Sequence, residues 1–128
     1  MLVNNNTQIK VVKLKENAAL PTRGSNQVAG YDLYACLDGD SLTISPQQTV
    51  LVGTGLAVAI PDGFFGAIFA INGLASKKGL VGLCNSNYRG EYKIALHNDS
   101  DSDQTITNGE RIAQLVVLPG GFGSTGTK

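Results

Sequence analysis

The chain has 128 residues, 42% of them hydrophobic, with ten basic and ten acidic side chains, enough for a single domain that buries roughly two-thirds of its unfolded surface without staples. Zero net charge excludes capture of nucleic acid or an anionic membrane by charge alone. Two cysteines, Cys36 and Cys84, and the lone His97 exclude a disulfide framework and argue against a protein-held zinc centre or a Ser-His-Asp nucleophile.

Residues 7–14 carry Ile9 and Val11 and then shift phase at Val12 and Leu14, which reads as a first strand with a bulge. After a loop over residues 21–26, the segment 29–36 is short and apolar except for Asp32. A carboxylate inside a strand costs stability unless it meets a partner, so Asp32 is either paired with a cation or placed for function. Residues 50–52 and 56–60 read as two strands, Pro61-Asp62-Gly63 as a turn, and residues 64–71 as a very apolar strand. Residues 72–79 have the marks of one short helix: Asn72 suits the N-cap, Lys77 and Lys78 the last turn, and Gly79 the exit. Its N-terminal N–H groups offer an anion site. Residues 88–97 read as a strand with Tyr92, Ile94 and Leu96 on one face and Lys93, Ala95 and His97 on the other. His97 is expected to be an ordinary strand-end residue. The carboxylates of Asp99, Asp101 and Asp103 lack the glycine and terminal glutamate of a calcium loop, so a solvated turn is expected. Residues 112–118 form the last strand, where the buried amide of Gln114 needs a named neighbour just as Asp32 does.

Many short strands at turn spacing argue for an all-β sandwich or jelly roll. Residues 1–118 are expected to form the β domain and residues 119–128 a glycine-rich lid. That last segment holds four glycines, Ser124, Thr125 and one ring, Phe122. Glycines let several N–H groups face one anion, hydroxyls add donors, and a ring can lie on a planar ligand. The competing reading is a frayed terminus. A P-loop is not expected, because Gly126-Thr127-Lys128 has the order reversed from the Gly-Lys-Ser/Thr that motif needs. No apolar run reaches about 18 residues and the first six residues do not make a signal peptide, so the expectation is a cytoplasmic protein with no membrane partner.

Five segments, in order, resemble the motifs of the trimeric deoxyuridine triphosphate pyrophosphatases (dUTPases): residues 29–35 (AGYDLYA), 73–75 (GLA), 88–91 (YRGE), 109–115 (GERIAQL) and 120–126 (GGFGSTG). The resemblance implies an all-β, dUTPase-like jelly roll of β-clip type, assembled as a homotrimer with a site between subunits and a tail from another chain over each. It implies hydrolysis of dUTP to dUMP and pyrophosphate, which limits uracil in DNA, with Mg2+ carried by the nucleotide. By the same resemblance Asp32 and Gln114 act around the metal-bound triphosphate, and Tyr88 packs under the deoxyribose and excludes a 2′-hydroxyl. Asn72 and Gly73 meet phosphate and Gly82 lies near the uracil edge. Phe122 covers the uracil, while Gly123, Ser124 and Thr125 hold the terminal phosphates. Attack of water on the α-phosphate suits a chain without a His or Cys nucleophile, since such catalysis is mostly positioning and charge stabilisation.

The departures from the family pattern fall on the chemistry. Ile71 stands where the family has a phosphate-facing arginine, and Asn72 replaces a serine but can still cap a helix and donate to phosphate. Asn85 stands where a carboxylate activates water, and an amide cannot accept a proton at neutral pH, a loss of about 10² to 10⁴ in rate. Segments after Leu80 and after Leu118 are shorter than in the family, and Val117 is nearest to the place of a second arginine. At about 3.3 Å per residue, the tether from Leu118 to Phe122 spans about 13 Å. A catalytically silent dUTPase-fold protein that binds a nucleotide or a protein partner is therefore the alternative. Deamination of dCTP on the same fold is a weaker reading, with no glutamate base in position, since Glu91 is expected to pair with a cation such as Arg89 or Arg111.

Overall fold

The computed structural model describes residues 2–3, 7–23, 30–70, 80–84 and 88–120. Strands account for all the regular structure among them: β1 (Leu2–Val3), β2 (Thr7–Gln8), β3 (Lys10–Lys13), β4 (Thr22–Arg23), β5 (Gly30–Tyr34), β6 (Ser41–Ile44), β7 (Thr49–Gly53), β8 (Leu56–Ala59), β9 (Phe64–Ala70), β10 (Leu80–Cys84), β11 (Lys93–His97), β12 (Gln104–Thr107) and β13 (Arg111–Pro119). The short helix expected over residues 72–79 lies outside the described residues.

The central layer is a five-stranded antiparallel sheet in the order β10-β9-β13-β5-β4. Its long strand β13 pairs on one side with β5 and on the other with β9. Register sorts the side chains: Ala113, Leu115 and Val117 share a face with Leu33, Tyr31, Ile68 and Ala70, and all seven are at most 4% exposed. Against them, in one continuous cluster, pack Val52, Leu56, Val58, Ile94, Leu96, Ile44 and Ile106 from the two-stranded pairs β11-β7, β12-β6 and β3-β8. The alternation expected for Tyr92, Ile94 and Leu96 is present, all three being buried while Lys93 is exposed. At the roughly 0.8 kcal/mol gained per buried CH₂, this core outweighs any single polar contact in the molecule.

Two expected strands are divided or shortened. The first breaks at Ile9, because β2 pairs with β1 while β3 pairs with β8, and Ile9 itself drops into the core at 2% exposure. The strand expected from residue 88 begins only at Lys93. Tyr92 donates its N–H to the Leu56 carbonyl and accepts from Thr54, so the chain there is tied to the corner between β7 and β8 ahead of the β11–β7 ladder.

The loop after β11 is organised by the buried Asn98. Its amide donates to the carbonyls of Ile44 and Ser102, both at 2.8 Å, and its oxygen accepts from the Ser100 N–H and hydroxyl. Asp99, Asp101 and Asp103 point to solvent around it. His97 ends β11 with Nδ1 at 2.7 Å from the Thr49 hydroxyl, an ordinary cross-strand contact.

Candidate active site

The second face of the five-stranded sheet carries the polar residues. Gln114 sits opposite Asp32 across β13 and β5, and Thr22 of β4 sits opposite Asp32 on the other side. In a regular strand Arg111, three residues from Gln114, would point to the opposite face. A register shift between Arg111 and Ala113 removes that mismatch: Arg111 pairs with Tyr34 and Ala113 with Leu33, so two steps on β13 match one on β5. Ile112 and Ala113, adjacent yet both 0% exposed, mark the bulge. Its consequence is that Arg111 reaches the Asp32 side of the sheet.

There the Arg111 guanidinium donates from Nη1 to Asp32 Oδ2 at 3.2 Å. Asp32 is 8% exposed, so the cation answers the need for a partner that the sequence posed. Half-exposed Arg111 leaves its other N–H groups facing outward, where they can meet an anion. Gln114 is half-buried, and its amide lies over Gly30: a Cβ on that glycine would come within 2.8 Å of Nε2. Among the described residues no side-chain hydrogen bond holds that amide. Beside this row the Thr22 and Tyr34 hydroxyls share a 2.6 Å hydrogen bond. Phe69, opposite Gln114 on β9, begins the apolar side of the same face. Behind it, burial pushes the Tyr31 phenol up from its ordinary range, partly offset by Arg23, whose guanidinium lies 5.6 Å over the ring.

Tyr88 is 43% exposed and takes its described contacts from its own turn. Its hydroxyl donates to the Glu91 carbonyl at 2.9 Å, and its ring lies 5.8 Å from that of Tyr92. Gly90 leaves room for the ring, since a Cβ there would meet the Tyr88 hydroxyl at 2.6 Å and push it aside. Glu91 does not pair with Arg111, which is engaged by Asp32. Its carboxylate accepts from the Gly55 N–H at 2.9 Å. A side chain seated over Gly53 has a backbone donor within reach and needs no cation.

Gly82 lies in β10 at an irregularity between Leu80 and Gly82, paired with Ile68. Two strand spacings, roughly 10 Å, separate it from β13. Val117 is not a stand-in for a phosphate-binding arginine: it is 1% exposed, on the core face opposite to Asp32 and Gln114. Asn72, Gly73, Asn85, Phe122, Gly123, Ser124 and Thr125 lie outside the described residues. Of the predicted site residues, then, the fold brings Asp32 and Gln114 together. Arg111, expected beside Glu91, pairs with Asp32 instead, and with Gly30 it completes their surroundings.

The sequence comparisons decide the family. A family model described as dUTPase matches residues 16–124. The deoxyuridine 5′-triphosphate nucleotidohydrolase of a Hydrogenobaculum species is 40% identical over 145 residues, covering 94% of this chain and 99% of that protein. The chain belongs to the dUTPase family. A second dUTPase relative, from Wolbachia pipientis wMel, is 43% identical over 117 residues, with 88% of this chain and 76% of that protein covered. The fold is the dUTPase fold: a mutant dUTPase of Staphylococcus bacteriophage 80alpha, described with dUpNHpp, superposes with a TM-score of 0.78 at 27% identity over 96% of both chains. The Hydrogenobaculum match is longer than the 128 residues of this dUTPase-family chain, so that relative carries segments this chain lacks.

Proposed function

We propose that this chain hydrolyses dUTP to dUMP and pyrophosphate by attack of water on the α-phosphate, with magnesium entering as part of the nucleotide substrate. The observation that carries the reading is the row of Asp32, Arg111 and Gln114 on one face of β5 and β13 in a chain of the dUTPase family. Among the described residues no group of three His, Cys, Asp or Glu side chains could hold a metal. One carboxylate and one amide oxygen instead suit the water shell of a magnesium already bound by phosphates. Arg111 fixes the Asp32 carboxylate and offers its outward N–H groups to the triphosphate.

In the same reading Tyr88 packs under the deoxyribose and leaves no room for a 2′-hydroxyl. Asn72 and Gly73 donate to phosphate, Gly82 lies at the uracil edge, and Asn85 orients the attacking water. Phe122, Gly123, Ser124 and Thr125, in a lid over residues 119–128, cover the uracil and the terminal phosphates. A homotrimer, with a second chain completing each site, is the assembly this reading implies. The described residues contain no helix long and apolar enough to cross a membrane, and the proposed place of action is the nucleotide pool of the cell, where removing dUTP limits uracil in DNA.

Asn85 also supports the second reading, a protein that binds the nucleotide without turning it over, because its amide cannot take the proton from water. Pyrophosphate release measured for dUTP, dTTP, dCTP and UTP separates the two. Turnover selective for dUTP is expected. Absence of release from all four, with dUpNHpp still bound, would overturn the hydrolase reading in favour of the binder.

A further inference from the structure

Glu91 is built into the fold in a way that hydrolysis as such does not require. Its carboxylate occupies the space over Gly53, where a Cβ would collide with Oε2, and accepts the Gly55 N–H at 2.9 Å. The Glu91–Tyr92 peptide is tied to the same corner through the Tyr92 N–H, which donates to the Leu56 carbonyl, and the next peptide through the Tyr92 carbonyl, which accepts from the Thr54 N–H and hydroxyl. The Glu91 carbonyl in turn accepts the Tyr88 hydroxyl at 2.9 Å, drawing the ring down over Gly90 and against Tyr92. Tyr88, Glu91, Gly55 and the β7–β8 corner thus form one chain of contacts. Its outer end is a ring 43% exposed, and its inner end a backbone donor in a part-buried corner.

We infer that Glu91 is a positioning residue that sets the preference for deoxyribose over ribose, by fixing through its own peptide the height and tilt of the Tyr88 ring; the inference rests on the dUTPase reading of the site. Rejecting a single added hydroxyl is a demanding task for a pocket, since an apolar wall alone achieves little against a substrate that merely carries an extra oxygen. A wall that can yield makes room for the added oxygen and discriminates little. Tyr88 is anchored at its far end by its hydroxyl, so the wall cannot yield unless the Glu91 peptide moves. That peptide has two anchors, its Tyr92 N–H on the Leu56 carbonyl and the Glu91 carboxylate on the Gly55 N–H, and loss of the carboxylate leaves it a single one about which it can tilt.

The test compares the parent with E91Q, E91A and Y88F. Glu91 borders an open cleft of about 420 Å³ shared with Lys15, Leu51 and Lys93, so truncation opens onto solvent and leaves no sealed void. Y88F alters only an exposed side chain and serves should E91A fold poorly. Affinities for dUpNHpp and for its ribose counterpart UpNHpp give the sugar preference, and the ring signal of Tyr88 in protein labelled with ¹³C-tyrosine gives its setting without ligand. E91Q keeps an oxygen acceptor for Gly55 and is expected to hold the parental preference within about threefold and the parental ring signal. E91A is expected to lose about tenfold or more in preference, with a displaced ring signal, and Y88F to lose preference to a similar extent. An unmoved Tyr88 signal in E91A, or a parental preference in both E91A and Y88F, overturns the inference. A parent that binds neither nucleotide while E91A displaces the ring signal would overturn the dUTPase reading and sustain the anchoring of Tyr88.

Discussion

Gly30→Ala separates the role of Gln114 from the stability of the sheet that carries it. Gly30 lies in β5 with an ordinary extended backbone, so alanine is not strained there and gains a few tenths of a kcal/mol, up to about 1, from the stiffer unfolded chain. The new methyl would stand 2.8 Å from Gln114 Nε2 and 3.2 Å from its Cδ, about 0.6 Å inside ordinary contact at the nitrogen. The obstructing atom is the tip of a flexible side chain, so the amide swings aside at small cost to the fold. For an amide aimed at the triphosphate the same 0.6 Å matters, since misplacement by an ångström costs on the order of 10² in rate. The expected result is a fall of about 10- to 100-fold in kcat/KM for dUTP, followed by pyrophosphate release, with the thermal midpoint within about 3 °C of the parent. A variant with parental kcat/KM would refute the placement of Gln114 against the substrate.

Asn98→Ala removes two amide donors and an acceptor from a group 1% exposed and is expected to cost about 2–4 kcal/mol in urea unfolding while leaving sugar preference unchanged. Val117→Arg places a charge on the core face and is expected to destabilise by about 3 kcal/mol or more with no gain in dUpNHpp affinity; a soluble variant of higher affinity would show that residue 117 does reach the phosphates. Because burial raises the Tyr31 phenol, the native state keeps this proton when the unfolded chain releases it, so stability is full below about pH 10 and falls as pH rises from there through the folded value. Tyr31→Phe should flatten that alkaline decline in urea midpoints taken between about pH 9 and 11, and an unchanged slope would count against the burial of the hydroxyl.

The strand pattern was legible wherever side chains alternate with period two, as in Tyr92, Ile94 and Leu96, because the pleat alone dictates which of them are buried. The demand of Asp32 for a partner was legible too, since an unpaired carboxylate in a strand is costly. The identity of that partner was not. Arg111 lies three residues from Gln114, out of phase in a regular strand, and only the bulge at Ile112 turns it toward Asp32. The trace in the sequence is the adjacent apolar pair Ile112 and Ala113 ahead of Leu115 and Val117, which does not say to which side Arg111 turns. Glu91 misled for a related reason: a carboxylate near arginines suggests an ion pair, yet bare glycines at residues 53 and 55 give it a seat and a backbone donor. Val117 is nearest to the place of a family arginine, yet the alternation of Ala113, Leu115 and Val117 puts it in the core.

The most direct measurement is steady-state pyrophosphate release from dUTP with magnesium, run on the parent and on Asn85→Asp side by side. Turnover by the parent, rising about 10²-fold or more when the carboxylate is supplied, is the predicted result. Silence from both proteins at high enzyme concentration would contradict the assignment of this site to dUTP hydrolysis.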